Sequence, residues 1–349
     1  MRLRALVNMT VMVVERCGGH ITLLFSIWKD SHLARLQGSR GAGFNISTGV
    51  EARVEFLSSN TPETQAKLSA GELLDIPAGP VKDGDLQIYI EDMNGRELEN
   101  SSRLYVDLID ELRIARLLRP EDSYSIRIKL ELPTSQGFGM SAAGLLAVTR
   151  CFSSLTGKGT EQQYQRIAHR IERKHGSGLG DVLGMSKRGV ELRFEPGAPG
   201  SGGIVEHFTT VQPVLVVWQH DESRHTSKYI DDDRWQRAIS QAGERSVSRL
   251  KLKEWDFERW PDLMLESRNF AQESGLQEEP ARKKLLSIVR KEILRLDLQA
   301  RVNVRLCMLG ISATILPRRL DSPLTESELG DISEALQNTG IGVVETRIH

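Results

Sequence analysis

The stretch Leu132-Pro133-Thr134-Ser135-Gln136-Gly137-Phe138-Gly139-Met140-Ser141-Ala142-Ala143 constrains this chain more than any other. Ahead of it runs a period-two pattern. Tyr124, Ile126, Ile128, Leu130 and Leu132 share one face, and Ser125, Arg127, Lys129 and Glu131 share the other, which predicts a half-buried strand. Behind it, Ala142 to Phe152 is small and apolar at helical spacing. A strand that turns through two glycines into a helix leaves N–H groups without intrahelical partners at the helix start. Glycine lets a ligand approach that backbone closely, so the segment reads as a phosphate cradle, with Ser141 offering a hydroxyl to a phosphate-bound metal. The plainer reading, a glycine-rich turn capping a core helix, uses the same residues. The other common phosphate loop, G-x-x-x-x-G-K-[ST], is absent.

Three further segments carry polar groups beside glycines. Glu172-Arg173-Lys174-His175-Gly176-Ser177-Gly178-Leu179-Gly180-Asp181-Val182 places two carboxylates around a loop with unusual backbone freedom. Such a pair suits magnesium, which takes a few carboxylates plus phosphate oxygens and water, and suits a proton acceptor for an attacking hydroxyl. Gln37-Gly38-Ser39-Arg40-Gly41-Ala42-Gly43 offers Arg40, whose planar fork matches a carboxylate, beside the Ser39 hydroxyl, and a tight turn with an exposed arginine is the equal alternative. Gly18-Gly19-His20-Ile21-Thr22 stands at a strand start. Each segment alone is equally compatible with an ordinary structural turn.

Strands are expected near 5–14, 20–28, 43–56, 86–91, 124–132, 190–194, 213–218, 300–308, 311–316 and 341–347. Helices are expected near 102–117, 140–156, 161–175, 232–250, 255–273, 279–297 and 325–338. Asn94-Gly95 signals a hairpin-type turn. The breaker cluster Pro196 to Gly203 reads as a domain linker or a hairpin loop. This mixed order predicts α+β domains rather than regular βαβ alternation, and 349 residues suffice for two of them. A net charge of -1 brings no global excess that would favour nucleic acid. Cys17, Cys151 and Cys307 are far apart and unpatterned, which predicts buried free thiols in a reducing compartment and no zinc site. Arg2 and Arg4 precede an apolar run from Ala5 to Val14, but no small-residue cleavage site follows and the run is too short to span a bilayer. A soluble, cytoplasmic chain is the expectation.

The cradle resembles the ATP-phosphate motif of the GHMP kinase superfamily, a proline followed by Gly-Leu-Gly-Ser-Ser-Ala-Ala, with Phe138 for the leucine and Met140 for the first serine. The set of segments resembles the archaeal pantoate kinases within that superfamily. Gly18-Gly19-His20-Ile21-Thr22 is similar to their Pro-Gly-His-Ile-Thr stretch, and their Gly-Ser-Arg-Gly-Ala-Gly appears unchanged at 38–43. Ala168-His169-Arg170-Ile171-Glu172 and Ser177-Gly178-Leu179-Gly180-Asp181-Val182 match their acidic site, with Ser177 for threonine. Met308-Leu309-Gly310-Ile311-Ser312-Ala313-Thr314 looks like their diverged third motif. The helical block 230–298 carries no recognised motif.

The resemblance implies ATP-dependent phosphorylation of the primary hydroxyl of pantoate to 4-phosphopantoate, for coenzyme A synthesis. Another GHMP kinase, for homoserine or a mevalonate derivative, and a non-catalytic ligand sensor on the same fold are the competing readings. It implies that Pro133, Gly137, Phe138, Gly139, Met140, Ser141 and Ala142 bind ATP. Ser141 and Glu172 flank Mg2+, and Asp181 orients or deprotonates the hydroxyl, so that Asp181, Glu172 and Ser141 form the catalytic set. Ser39 and Arg40, with Gly41 and Gly180, hold the pantoate carboxylate, and His20 touches substrate or phosphate. It implies a two-domain fold: residues 1–205 as a ribosomal-protein-like ATP-binding domain and 206–349 as a ferredoxin-like domain, with the site between them. Its partners are pantoate and ATP, with no nucleic acid and no membrane, and a homodimer is compatible with it.

Overall fold

A computed structural model describes residues 11–59, 84–98, 101–220 and 232–349. The first part of the expected strand at 5–14 lies outside the described residues.

Two long strands carry the N-terminal half. β1 (Met12–Trp28) and β2 (Gly38–Ser59) pair antiparallel along nearly their whole length, with register shifts between Gly18 and His20 and between Thr22 and Leu24. The separate strands expected at 5–14 and 20–28 are therefore one bulged strand, and the bulges re-aim its side chains. The segment 38–43, read as a turn, is the start of β2. Its glycines serve close packing: a Cβ at Gly41 would lie 2.3 Å from the Leu24 carbonyl oxygen, and one at Gly43 would lie 2.1 Å from that of Ile21.

β3 (Leu86–Glu91) runs parallel to β4 (Asp122–Leu130), which pairs with the far half of β2. β5 (Val190–Glu195) pairs with the near half of β2. The breaker cluster resolves into a hairpin-like connection through β6 (Ala198–Pro199) to β7 (Gly202–Phe208), which pairs with β5. β8 (Gln212–Gln219), β9 (Val302–Cys307), β10 (Ser312–Pro317) and β11 (Ile341–Ile348) stand in the order β11-β8-β10-β9, all antiparallel. β11 joins β2 at Ile348 and Ile46, so one sheet runs through both halves.

Helices α1 (Arg103–Ile114), α2 (Met140–Thr156), α3 (Glu161–His175) and the single turn α4 (Asp181–Gly184) belong to the N-terminal half. α2 is buried on almost every side, as its run of small and apolar residues requires. Gly144 leaves room for the Tyr105 ring, since a Cβ there would lie 2.1 Å from its hydroxyl. α3 starts at a capping box, Thr160 with Gln163, and ends at Gly176 with φ 59°. The charged block forms α5 (Asp233–Leu250), α6 (Trp260–Glu273) and α7 (Pro280–Arg295), and α8 (Glu326–Gln337) precedes the last strand. α5 lies against β1 through Gly243, where a Cβ would sit 2.0 Å from the Phe25 carbonyl oxygen. Cys17, Cys151 and Cys307 are free and buried. Among the described residues no helix is long and apolar enough to cross a membrane.

Candidate active site

The loop between β4 and α2 curls over the bulged part of β1. Gly137 and Gly139 have φ 75° and 70°, conformations that side chains rarely adopt. The His20 amide donates to the Phe138 carbonyl at 3.0 Å, which ties the loop to β1. A third segment completes the collar. The Ile311 amide donates to Gln136 Oε1 at 3.1 Å, the Ser312 hydroxyl donates to the Gln136 carbonyl, and the Met308 amide donates to the Thr22 carbonyl at 3.0 Å. A Cβ on Gly137 would lie 2.5 Å from the Met308 carbonyl oxygen. The motif at 308–314 therefore braces the loop from the C-terminal half.

A cleft of about 710 Å³ opens beside this collar. Pro133, Gly137, Phe138, Gly139, Met140, Ser141 and Ala142 all line it. No side chain caps α2, and the Ala143 amide bonds back to Gly139, so the amides ahead of it make up the free first turn. That end carries the positive pole of the helix dipole. Phe138 and Met140 are themselves buried; the Phe138 ring packs edge-on against Trp218 at 6.0 Å.

Opposite the loop stand Ser177 to Asp181. Glu172, on the buried face of α3, is 1% exposed, and neither carboxylate oxygen has a hydrogen-bond partner among the described residues. A Cβ on Gly178 would lie 2.3 Å from Glu172 Oε1 and 2.7 Å from Asp181 Oδ2, so both carboxylates converge on that glycine. Burial, and then the Asp181 charge, push the Glu172 carboxyl well above the usual carboxylate range. A buried carboxylate without a hydrogen bond, 3.9 Å from His169 Nδ1 and beside a second carboxylate, fits a divalent cation. No cluster of three or more His, Cys, Asp or Glu occurs among the described residues, and magnesium, which relies on one or two carboxylates, phosphate and water, needs none.

His20 is a correction to the sequence reading. It is wholly buried, and both ring nitrogens are engaged: Nδ1 lies 2.8 Å from Asp181 Oδ1 and Nε2 lies 3.0 Å from Glu191 Oε1. It does not line the cleft. Burial works against its charge, yet the hydrogen bonds to Asp181 and Glu191 carry its pKa above the ordinary histidine value. With both nitrogens donating to carboxylates, the ring is an imidazolium. Arg193 Nε stands 3.5 Å from Glu191 Oε2 and closes a neutral buried quartet of two acids and two bases. Burial tends to raise the Asp181 pKa, but the His20 hydrogen bond and the nearby positive charges lower it, so Asp181 is ionised. Its side chain remains 24% exposed, toward the cleft.

Arg40 is a second correction. Ser39 lines the cleft, but the next residue of a strand points the other way. The Arg40 guanidinium is held by Glu195 at 2.7 Å and Glu244 at 3.0 Å, and it stacks 4.5 Å over the Trp28 ring. Gly41 touches no ligand surface; a Cβ there would come within 2.7 Å of Arg193 Nη2. The guanidinium that borders the cleft beside Ser39 is that of Arg193. At Gly180 a Cβ would lie 2.2 Å from the Ser39 hydroxyl and 2.7 Å from Arg193 Nη1. Ser39, Gly180 and Arg193 thus form one polar wall. Glu191 and Arg193 escaped the sequence reading because they alternate with Val190, Leu192 and Phe194, like the solvent face of a strand, whereas both are buried. His169, also in the matched motif, is buried and donates from Nε2 to the carbonyls of Ala34 and Gln37 at 3.3 and 3.1 Å, fixing the start of β2.

The family model for the GHMP kinases N terminal domain matches residues 106–188. A pantoate kinase of Thermococcus kodakarensis is 37% identical over 146 residues, which is 42% of this chain and 46% of that protein, less than half its length. A pantoate kinase of Methanocaldococcus jannaschii is 27% identical over 293 residues, covering 84% of this chain and 88% of that protein. Among solved structures, a phosphotransferase related to the CoA biosynthesis pathway superposes with a TM-score of 0.70 at 22% identity, covering 97% of this chain and 96% of that one. That likeness concerns the fold alone.

Proposed function

We infer that this chain is a GHMP kinase and that it transfers the γ-phosphoryl group of ATP to the primary hydroxyl of pantoate, giving 4-phosphopantoate. One observation carries the reading: the Gly137–Ala142 loop, the ionised Asp181 carboxylate and the Ser39–Arg193 wall face a single cleft. Phosphates bind to the free amides at the start of α2, whose dipole favours negative charge. Ser141 and Glu172 would hold Mg2+, which when bound neutralises charge on the phosphates.

Arg193 and the Ser39 hydroxyl bind the pantoate carboxylate; the planar guanidinium is suited to a two-point contact. That contact orients the hydroxyl at the other end of the molecule toward Asp181. Asp181 Oδ1 is occupied by His20, which leaves Oδ2 for the hydroxyl. The alcohol oxygen bonds to the γ-phosphorus, the bond from phosphorus to the bridging oxygen of ADP breaks, and the hydroxyl proton passes to Asp181 Oδ2. A carboxylate with a lowered pKa is a weak base, so its main contribution is orientation, with proton acceptance as charge builds on the attacking oxygen.

Within this reading, residues 1–205 form a ribosomal-protein-like ATP-binding domain and 206–349 a ferredoxin-like one. The β-α-β-β-α-β order of the C-terminal half, with its 11-8-10-9 strand sequence, supports the second assignment. ADP release measured with pantoate, homoserine and mevalonate tests the function. Pantoate-dependent release, abolished in Asp181→Asn, is expected. Turnover confined to homoserine or mevalonate makes the chain another GHMP kinase, and no release with any acceptor makes it a sensor.

A further inference from the structure

The charged helical block carries a feature unrelated to the phosphoryl-transfer cleft. Where α6 and α7 meet β9, a concavity of about 910 Å³ is lined by Arg268, Arg290, Arg305 and Arg318 together with Asn303 and Gln277. No acidic side chain lines it. A smaller cavity of about 230 Å³ adjoins it through Arg268, Arg290 and Arg305. None of the four arginines makes a salt bridge among the described residues, although neighbouring arginines do: Arg295 meets Glu292 at 2.7 Å, Arg245 meets Glu273 at 2.9 Å, and Arg319 meets Asp321 at 2.6 Å.

Arg305 is the fixed member. Its Nε donates to the Met264 carbonyl at 2.8 Å, Nη1 to the Val304 carbonyl at 2.8 Å and Nη2 to Asn303 Oδ1 at 3.2 Å. All three acceptors are neutral, so the guanidinium is oriented but not neutralised, and two of its five N–H groups stay available. Arg318 is tethered in the same manner, Nη1 to the Gln299 carbonyl at 3.1 Å. Arg268 and Arg290 are exposed arms on α6 and α7. Burial, and then the charges of Arg268, Arg290 and Arg318, bring Arg305 down to about 10. Burial and Arg268 also lower Arg290. Four like charges around one hollow repel each other, and only an anion relieves that cost.

We propose that this concavity is a second binding site, for a small anion carrying two or more phosphate groups. Guanidinium groups pair with phosphate oxygens two at a time, and four of them match a ligand of about three to four negative charges. The space open to a ligand, about 390 Å³, is that of a small-molecule site. A long nucleic acid is the less favoured occupant, because it needs an extended basic track while this chain has a net charge of -1 and gathers the four arginines around one concavity.

The test uses inorganic tripolyphosphate as the probe, titrated calorimetrically at low salt into the wild type and into the Arg268→Gln/Arg290→Gln double variant. The wild type should bind two equivalents, one in the nucleotide cleft and one here. The double variant should lose the second, or bind it about tenfold or more weakly, the effect of removing charge-assisted hydrogen bonds. Its KM for ATP should stay within about twofold of wild type, because neither arginine lines the nucleotide cleft. Without ligand the variant should melt at or above the wild-type temperature, since like-charge repulsion has been removed. One equivalent in both proteins, identical isotherms, or a lower melting temperature in the variant would overturn the proposal. So would binding of a single-stranded oligonucleotide by a protein that ignores tripolyphosphate.

Discussion

Replacing His20 by alanine tests the buried charge quartet directly. The imidazolium is 0% exposed and bridges Asp181 at 2.8 Å and Glu191 at 3.0 Å. Alanine leaves the Glu191 carboxylate, also 0% exposed, with only the longer 3.5 Å contact to Arg193. Removing one partner of a buried ion pair costs about 3–5 kcal/mol, because an uncompensated charge stays behind. For a chain of this size that loss corresponds to a fall of about 4–7 °C in Tm. The His20→Gln/Glu191→Gln double variant removes charge from both sides, and it should recover at least half of the loss, since two neutral amides can satisfy one another.

The pH dependence of the same pair has a defined sign. His20 has a folded-state pKa above its unfolded value of about 6.5, so its contribution is complete below that pH and declines as pH rises through the folded value. The stability gap between wild type and His20→Ala should therefore narrow on the alkaline side and be widest under mildly acidic conditions. Urea denaturation of the wild type, the single variants His20→Ala and Glu191→Gln, and the double variant between pH 6 and pH 9 measures both effects. A single variant within about 1 kcal/mol of wild type, or a double variant no more stable than the singles, would refute the quartet as an energetic unit. A gap that widens with pH would refute the imidazolium.

Three further outcomes are expected. Asp181→Asn should lower kcat by about 10²–10⁴-fold with the fold intact by circular dichroism, and unchanged kcat would remove its role at the hydroxyl. Glu172→Gln should raise the magnesium concentration needed for half-maximal rate. Because burial holds the native Glu172 carboxyl above its unfolded value of about 4.3, its ionisation opposes folding increasingly as pH rises past that point, so the metal-free variant should be at least as stable as wild type near neutral pH; a large loss would show that Glu172 is structural. Arg40→Ala should leave the pantoate KM near wild type while Arg193→Lys raises it well above any change in the ATP KM, and the reverse pattern would restore Arg40 to the site.

The strand–loop–helix unit at 124–156 was legible from the chain alone because its determinants are local. Alternation of apolar residues makes the strand, small apolar residues make the buried helix, and φ 75° and 70° at Gly137 and Gly139 require glycine. The boundaries of α2 and α3 follow for the same reason, since caps and helical periodicity lie within a few residues of each other. Segment 38–43 misled because glycine has two uses. The reading took it as turn chemistry, whereas here it admits the backbone of β1, a fact set by a neighbouring strand.

Periodicity, capping and the glycine-bearing motifs were thus enough to specify the strand, loop and helix at 124–156 and the helix that follows. Only the tertiary structure decided that His20 is buried against Asp181 and Glu191, that Arg193 rather than Arg40 faces the cleft, and that four arginines gather without an acid. Their partners come from residues such as Asp181 and Glu191, 161 and 171 positions from His20, and from which side of a strand the core happens to cover. Ionisation and pairing depend on burial and on charges brought close in space, and neither quantity exists until the chain has folded.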